Sequence, residues 1–490
     1  MKNRIFLNII IIFIFTVIIA PSYLFNPINL HFQGDFVRVV NLLGEGFYMR
    51  DSLSWPIFSI KSMSYPPGTN LVYTDSLPLF GFLSKLISII INKNFFYSPL
   101  YQLLSWYLNG ILSYFIFYKY TKDFNSSLLV GIFFLLIPFH IIRFDFFVSL
   151  TSHFLILMCF YIFFERSKKN ESLKYLIIFI SLGTHFYIFS MCILVIMTRI
   201  LINNQTIKKM IIEFTYIILF SLFFMYLYGY FLTGSPGAFD NYGIFSTNII
   251  SLINPPLESL SGSVVGSFNI MSGQYEGFAW LGLGGVILLI FVILNYKKYL
   301  KKNNIFFLSS IFLILLFSLS NKIYFGNILL IEFPIPSFFE NFLNIWQSSG
   351  RFIWIIAYII LISGFYYIHI NYDKYLNFNL KVIYINKIFH IKYSTIIFGI
   401  ILFIQFLDIY PFINKKFAYP KPIQIISEGL ENHLENLDTE HFQADFWDPK
   451  IAYSAYVLGK TTNIGYDARP LKKDENFNKY PSSKHYIEFI

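Results

Sequence analysis

The sequence predicts an all-α polytopic membrane protein, and three observations carry that prediction. Hydrophobic residues fill 56% of the 490 positions and charged residues only 13%, about half the charge of a soluble domain. Apolar runs of bilayer-crossing length recur along the chain. Lys and Arg cluster in the short segments between those runs, as membrane topology requires. The net charge of +10 therefore follows from topology and argues for no nucleic-acid partner. Cys159 and Cys192 both lie inside apolar runs, which excludes a disulfide framework and a zinc spacing.

The first segment, 5–24, follows MKNR and has no small-x-small cleavage site before Pro21, so it reads as a retained anchor. Further spans are expected near 97–118, 126–142, 147–165, 174–186, 187–203, 211–232, 279–295, 304–320, 352–370 and 394–412, about eleven in all. Lys2 and Arg4 put the N-terminus inside. The basic groups at Lys119 and Lys122, Arg166 to Lys169, Arg199 to Lys209, Lys297 to Lys302 and Lys374 to Lys392 should share that side. They do so only if 174–203 crosses twice, turning at Gly183-Thr184-His185 below the outer surface. Off-helix backbone at that depth is tolerated beside a protein-lined or wet cavity. The stretch 77–91 is apolar but carries Pro78, Gly81 and Lys85. A full span there would break the charge parity, so it is expected to lie in the membrane interface.

The outer side then owns the loops 25–96, 233–278 and 321–351 and the C-terminus. Two regions are expected: a transmembrane domain, 1–412, and a small extracytoplasmic region, 413–490, with an acidic run from Glu428 to Asp448. In a bacterium this is a multi-pass protein of the inner (cytoplasmic) membrane, N-terminus inside and C-terminus outside.

Short basic loops inside and long loops outside place the chemistry outside. His31 to Pro78 is the first polar stretch, and Asp35 stands about ten residues past the first span. Transfer to a hydroxyl or amine needs a general base within hydrogen-bond reach, which is the role assigned to Asp35. The same acid could instead hold a divalent cation, or pair with Arg38 one helical turn later. Arg143, His153 and His185 are ionisable groups at membrane depth, where such groups are costly and line functional cavities. An interfacial polar cap, or a satisfied core histidine, is the structural alternative. Glu276 opens a helix in GQYEGFAWLGLGG, either to stabilise that helix N-terminus or to act on substrate. Lys322 and Arg351, at the outer ends of adjacent spans, are candidates for a phosphate clamp or for snorkelling to lipid headgroups. No Walker loop, GxGxxG, HExxH or GxSxG element occurs. With no cytoplasmic domain for a nucleotide sugar, a sugar donor available outside must be carried by lipid.

At these residues the chain resembles the GT-C superfamily of membrane glycosyltransferases, and more closely an uncharacterised bacterial family of GT-C-like proteins. The matching pieces are FYMRDSLSWPI, VYTDSLPLFGFLSKL, IPFHIIRFDFFVSLTSHFLIL, GTHFYIFSM, NIISLINP, EGFAWLGLGG, SNK and SSGRFIWIIAYIIL, over most of 31–365, with TTNIGYDAR in the tail. The resemblance implies a GT-C-like fold, an acid in the first outer loop and a polyprenyl-phosphate-linked donor. Carried over residue by residue, it implies Asp35 as that acid. It implies Asp75, Arg143, His153, His185, Glu276, Lys322 and Arg351 as cavity-lining groups. Arg38, beside Asp35 in the sequence, is expected as a further substrate contact. Two departures matter. The first-loop acid has no neighbouring acid of the kind that holds a metal, and the tail is too short for a large acceptor-selecting domain. The expected activity is transfer of a sugar to an envelope glycan, lipid or protein acceptor. The rivals are a transporter or flippase for a lipid-linked saccharide, which should show internal repeats and a midplane polar site, and an envelope glycan polymerase or ligase, which should lack the first-loop acid.

Overall fold

The computed structural model describes residues 2–28, 30, 36–145, 147–164, 171–203, 206–232, 242–297, 305–372, 375–382, 385–418, 441–444, 449–464 and 486–489. Among them, five helices are long and apolar enough to cross a membrane: Lys2–Ile19, Phe186–Asn203, Ile207–Tyr228, Ser349–Asn371 and Tyr393–Phe417. A sixth candidate is the pair Phe124–Leu135 and Pro138–Phe144, bent by 43°. Pro138 sits at the bend, where its ring removes a backbone donor and crowds the preceding turn.

Length and composition thus single out five or six spans where the sequence predicts eleven. The helices Val148–Phe163, Leu173–Leu182, Gly282–Leu294 and Ile305–Leu319 are apolar but shorter. Leu173–Leu182 stops at Gly183, the turn the sequence predicts, before Phe186–Asn203 begins. Tyr97–Thr121 has 25 residues but buries Gln102, Ser105, Asn109 and Ser113 along one side. That spacing puts a polar stripe on the face turned into the bundle.

Several described basic residues pack against neighbouring helix ends. The Arg4 guanidinium lies 6.0 Å from the Phe124 ring, Lys119 sits 4.8 Å from the Tyr161 ring, and Lys392 pairs with Asp123 at 3.7 Å. Lys174 and Arg199 both bind Glu171, at 3.4 and 2.9 Å. The opposite helix ends collect the long loops. There the Phe96 amide donates to the Pro27 carbonyl, Leu79 to Gly183, and Gly350 to Phe245.

The first long loop is built on the helix Phe36–Arg50, whose C-terminal half is held by two ionisable groups. Glu45 accepts from the backbone amides of Tyr97 (2.6 Å) and Ser98 (3.3 Å) and from the Ser98 hydroxyl. This satisfies donors that the start of Tyr97–Thr121 leaves open. Lys85 donates to the carbonyls of Tyr48 and Asp51, as cations do at a helix C-terminus. Lys85 belongs to the helix Pro78–Ile91, which buries Gly81, Ser84 and Lys85 and turns Leu83, Leu86 and Ile90 outward. Its polar side faces protein and its apolar side faces out, the reverse of a helix in water.

In the C-terminal region, His441–Ala444 pairs in parallel with both Thr461–Thr462 and Tyr486–Phe489. The helix Pro449–Val457 lies between the first two in the chain. These segments contact the first loop. Arg50 donates to the carbonyls of Ala455 (3.1 Å), Tyr456 (3.2 Å) and Lys460 (2.6 Å). The Tyr65 amide donates to the Thr462 carbonyl at 2.8 Å, and the Tyr65 ring stacks on His441 at 4.6 Å. The acidic run Glu428 to Glu440 and the piece from Gly465 to Arg469 lie outside the described residues.

Candidate functional site

Glu276 lies in the short 3-10 helix Gln274–Gly277, and Arg351 in Ser349–Phe352, which opens the helix Ile353–Asn371. Two glycines let these segments touch. A Cβ on Gly277 would stand 2.5 Å from the Cα of Thr247, and one on Gly350 would stand 2.8 Å from the Cα of Gly277. No side chain fits at either place. Each glycine adjoins a charged residue, so the backbone contact brings Glu276 and Arg351 together.

Arg351 grips the carboxylate as a fork, Nε to Oε2 at 2.9 Å and Nη2 to Oε1 at 2.7 Å. Arg143 arrives from beyond the Pro138 bend. Its Nη1 donates to Oε2 of Glu276 at 3.0 Å, and its Nη2 to the Glu276 carbonyl at 3.0 Å. The three residues are only 1–5% exposed, and Arg143 is among the largest fully buried side chains. Burial pushes the Glu276 carboxyl up. The charges of Arg351 and Arg143, with their hydrogen bonds, pull it down further, from 4.5 to about 2. Two guanidinium groups against one carboxylate leave this trio with one net positive charge.

Aromatic rings complete the trio. The Arg351 guanidinium lies 4.6 Å from the Tyr187 ring, and that of Arg143 lies 4.8 Å from the Trp354 ring. The Tyr187 hydroxyl accepts from the Ser348 amide at 2.9 Å, and the Trp354 indole donates to the Phe278 carbonyl at 3.1 Å. His185 stands beside Tyr187. Its Nδ1 accepts the Tyr187 amide hydrogen at 3.1 Å, and its Nε2 is 3.5 Å from Oδ1 of Asp75. With Nδ1 accepting, the neutral ring carries its hydrogen on Nε2, toward Asp75. Asp75 adopts φ +54°, in the left-handed region that Asp tolerates. His153 packs 4.5 Å from the Trp354 ring, and its Nδ1 is 2.9 Å from the Tyr358 hydroxyl.

Asp75, Arg143, His153, His185, Glu276 and Arg351 thus form one contiguous group at the loop-rich end. Lys322 stands apart, paired with Glu332 at 3.1 Å across a hairpin, both side chains partly exposed. Arg38 approaches from another side and donates to the Tyr23 hydroxyl (2.9 Å) and to the carbonyl of Phe144, next to Arg143. Asp35 lies outside the described residues. Among the described residues no group of three His, Cys, Asp or Glu side chains could hold a metal ion.

Sequence reasoning passes over Tyr187 and Trp354. Their signal is weak: each follows a flagged ion by two or three positions, yet Trp354 serves Arg143 rather than the nearby Arg351. It also passes over Asp408, a buried acid within a candidate span. Asp408 accepts from the amides of Ser261 (2.9 Å) and Leu283 (3.0 Å), at the starts of Leu260–Val265 and Gly282–Leu294.

Fold and site together define a polytopic helical membrane protein with a buried Arg–Glu–Arg group at its loop-rich end. Residues 8–410 match the model of a domain family described as a domain of unknown function, DUF6311, and the chain belongs to that family. No curated protein matches it. Among solved structures it is similar to the archaeal oligosaccharyltransferase AglB of Archaeoglobus fulgidus in complex with an inhibitory peptide and a dolichol-phosphate. The identity there is 10% and the TM-score 0.43, over 95% of this chain and 64% of that one. It is similar also to a crystal structure of the Archaeoglobus fulgidus oligosaccharyltransferase with zinc and sulfate, with 10% identity and a TM-score of 0.44, over 94% and 62% of the two chains. The chain spans less than two thirds of the length of either.

Proposed function

We propose that this protein is a GT-C-type glycosyltransferase that moves a sugar from a polyprenyl-phosphate donor to an envelope glycan, lipid or protein acceptor. The reading places the site at the outer face of the bacterial inner membrane, with the basic segments in the cytoplasm. The observation that carries it is the buried Arg143–Glu276–Arg351 group. When the bond from the sugar to the donor phosphate breaks, negative charge collects on the phosphate oxygens. Arginines already fixed in place stabilise that charge without reorganising. Glu276 sets the plane of both guanidinium groups, and Tyr187 and Trp354 hold their faces. Arg143 is the second arm of the clamp because it shares Glu276 with Arg351, whereas Lys322 is paired elsewhere.

The acceptor hydroxyl or amine must lose a proton as the new bond forms, and Asp35 takes it. The support for this assignment is its place in the sequence, as the first acid after the first apolar segment. Asp75, backed by His185, accepts hydrogen bonds from sugar hydroxyls. His153 buttresses Trp354 and so the plane of Arg143.

The test is incorporation of labelled sugar from a polyprenyl-phosphate donor in vesicles, at matched protein levels. Asp35→Asn should lower turnover by about 10²–10⁴-fold. Arg351→Lys keeps the charge but loses the fork, and should lower it by at least about tenfold. Near-normal transfer by both variants would sink this reading.

A further inference from the structure

The loop between the helices Ile305–Leu319 and Ile353–Asn371 contains an antiparallel ribbon, Lys322–Phe325 with Ile328–Glu332, and the helix Ser337–Asn344. Successive side chains of a strand point to opposite faces. All five residues of Ile328–Glu332 are exposed, so Leu329 and Ile331 on one face and Ile328 and Leu330 on the other are both uncovered. The helix adds a second apolar surface. Phe338, Phe339 and Phe342 lie along one side and are 75, 47 and 54% exposed, while Glu340, Asn341 and Asn344 take the other side.

We infer that Lys322–Asn344 rests in the headgroup–acyl boundary of the bilayer at the loop-rich end, as a ledge between the helices Ile305–Leu319 and Ile353–Asn371. A protein partner or a second copy would cover one face of the ribbon; a fluid apolar solvent covers both. The ledge continues the apolar outer surface of the helix before it, where Phe312 and Leu313 face outward. Depth follows from the backbone. Among the described residues the ribbon has two strands and leaves an open edge on Ile328–Glu332, which the hydrocarbon core does not tolerate. The boundary, where water still reaches, accepts it. Charge plays little part, because Lys322 is outnumbered by Glu332 and Glu340 and gives no attraction to anionic lipid.

The ledge leads directly into the site. Past its helix, the Trp346 indole donates to the Ser190 hydroxyl at 3.0 Å, and the Ser348 amide donates to the Tyr187 hydroxyl under Arg351. Lipid contact at Phe338 therefore sets the height of Arg351 relative to the plane of the lipid phosphates. This inference does not depend on the glycosyl-transfer reading.

The test uses the full chain in phosphatidylcholine vesicles, with an environment-sensitive fluorophore on Phe338→Cys or Leu330→Cys. Lys61→Cys, on an exposed loop position, is the aqueous reference, and the native Cys159 and Cys192 are buried. Both ledge labels should be quenched about twofold or more by lipids spin-labelled near the headgroup, less by lipids labelled near the chain end, and little by aqueous iodide. High salt should change none of this. Iodide quenching equal to that at Lys61→Cys would put the ledge in water and overturn the inference. So would stronger quenching from the chain end, or protection from every quencher, which would mean protein covers it.

Discussion

Glu276→Gln removes one negative charge and almost no volume. In the native protein the carboxylate receives three guanidinium N–H groups at 2.7 to 3.0 Å. The amide keeps one acceptor oxygen and sets an NH₂ donor against an arginine. Two buried cations then share a site with no counter-charge. Removing one partner of a buried pair costs about 3–5 kcal/mol. A second route gives a similar figure. A carboxyl at about 2 in the folded protein, against 4.5 when unfolded, corresponds to about 3 kcal/mol. The folded value is the lower one. The stabilisation is therefore fully present above 4.5 and is lost as pH falls toward 2. The variant should be less stable than the wild type at neutral pH by about 3 kcal/mol and should show a shallower loss of stability in acid. Thermal unfolding in detergent, followed by the fluorescence of the six tryptophans, reads this at neutral pH and in acid. A polyprenyl phosphate should raise the variant's midpoint more than the wild type's, since an anion would replace the missing charge. Equal midpoints with an unchanged acid slope would mean that Glu276 is not the counter-ion of two buried arginines, and the clamp would fall with it.

Asp35→Asn should fold and insert normally yet transfer sugar about 10²–10⁴-fold more slowly; near-normal turnover would demote Asp35 to a structural acid. Lys322→Ala removes only a partly exposed pair with Glu332 and should cost at most about 1 kcal/mol. Its transfer rate should match the wild type, and a large loss would show that the clamp extends beyond Arg143 and Arg351. Arg50→Ala loses the three carbonyl contacts that hold the C-terminal unit, worth about 1.5–3 kcal/mol each way the charged donor is counted. Limited proteolysis should then cut near Pro449–Val457 faster while the melting of the bundle barely changes; unchanged cleavage would mean that the unit is held by other contacts.

The placement of charge between the apolar runs is legible in the sequence, because each Lys or Arg in a short loop reports its side without reference to packing. The same holds for the turn at Gly183-Thr184-His185, which follows from the length of the apolar run. The contact of the C-terminal segments with the first loop is not legible in this way. Arg50 and the carbonyl of Ala455 are 405 residues apart, and nothing near either one names the other. Asp408 shows the converse problem. An acid inside a candidate span suggests chemistry, but its oxygens serve two backbone amides.

By itself the sequence determines the class of this protein: a helical membrane bundle with most of its charged side chains between the apolar runs. Those properties depend on local composition and on alternation along the chain. Only the tertiary structure decides which of those ions belong together. Arg143 and Glu276 lie 133 residues apart, and Arg351 pairs with that same glutamate while Lys322, equally plausible by position, pairs with Glu332. The physical reason is range. A carboxylate binds whichever cation comes within hydrogen-bond distance, and here that distance is set by the bend at Pro138 and by the close contact of Gly277 with Gly350.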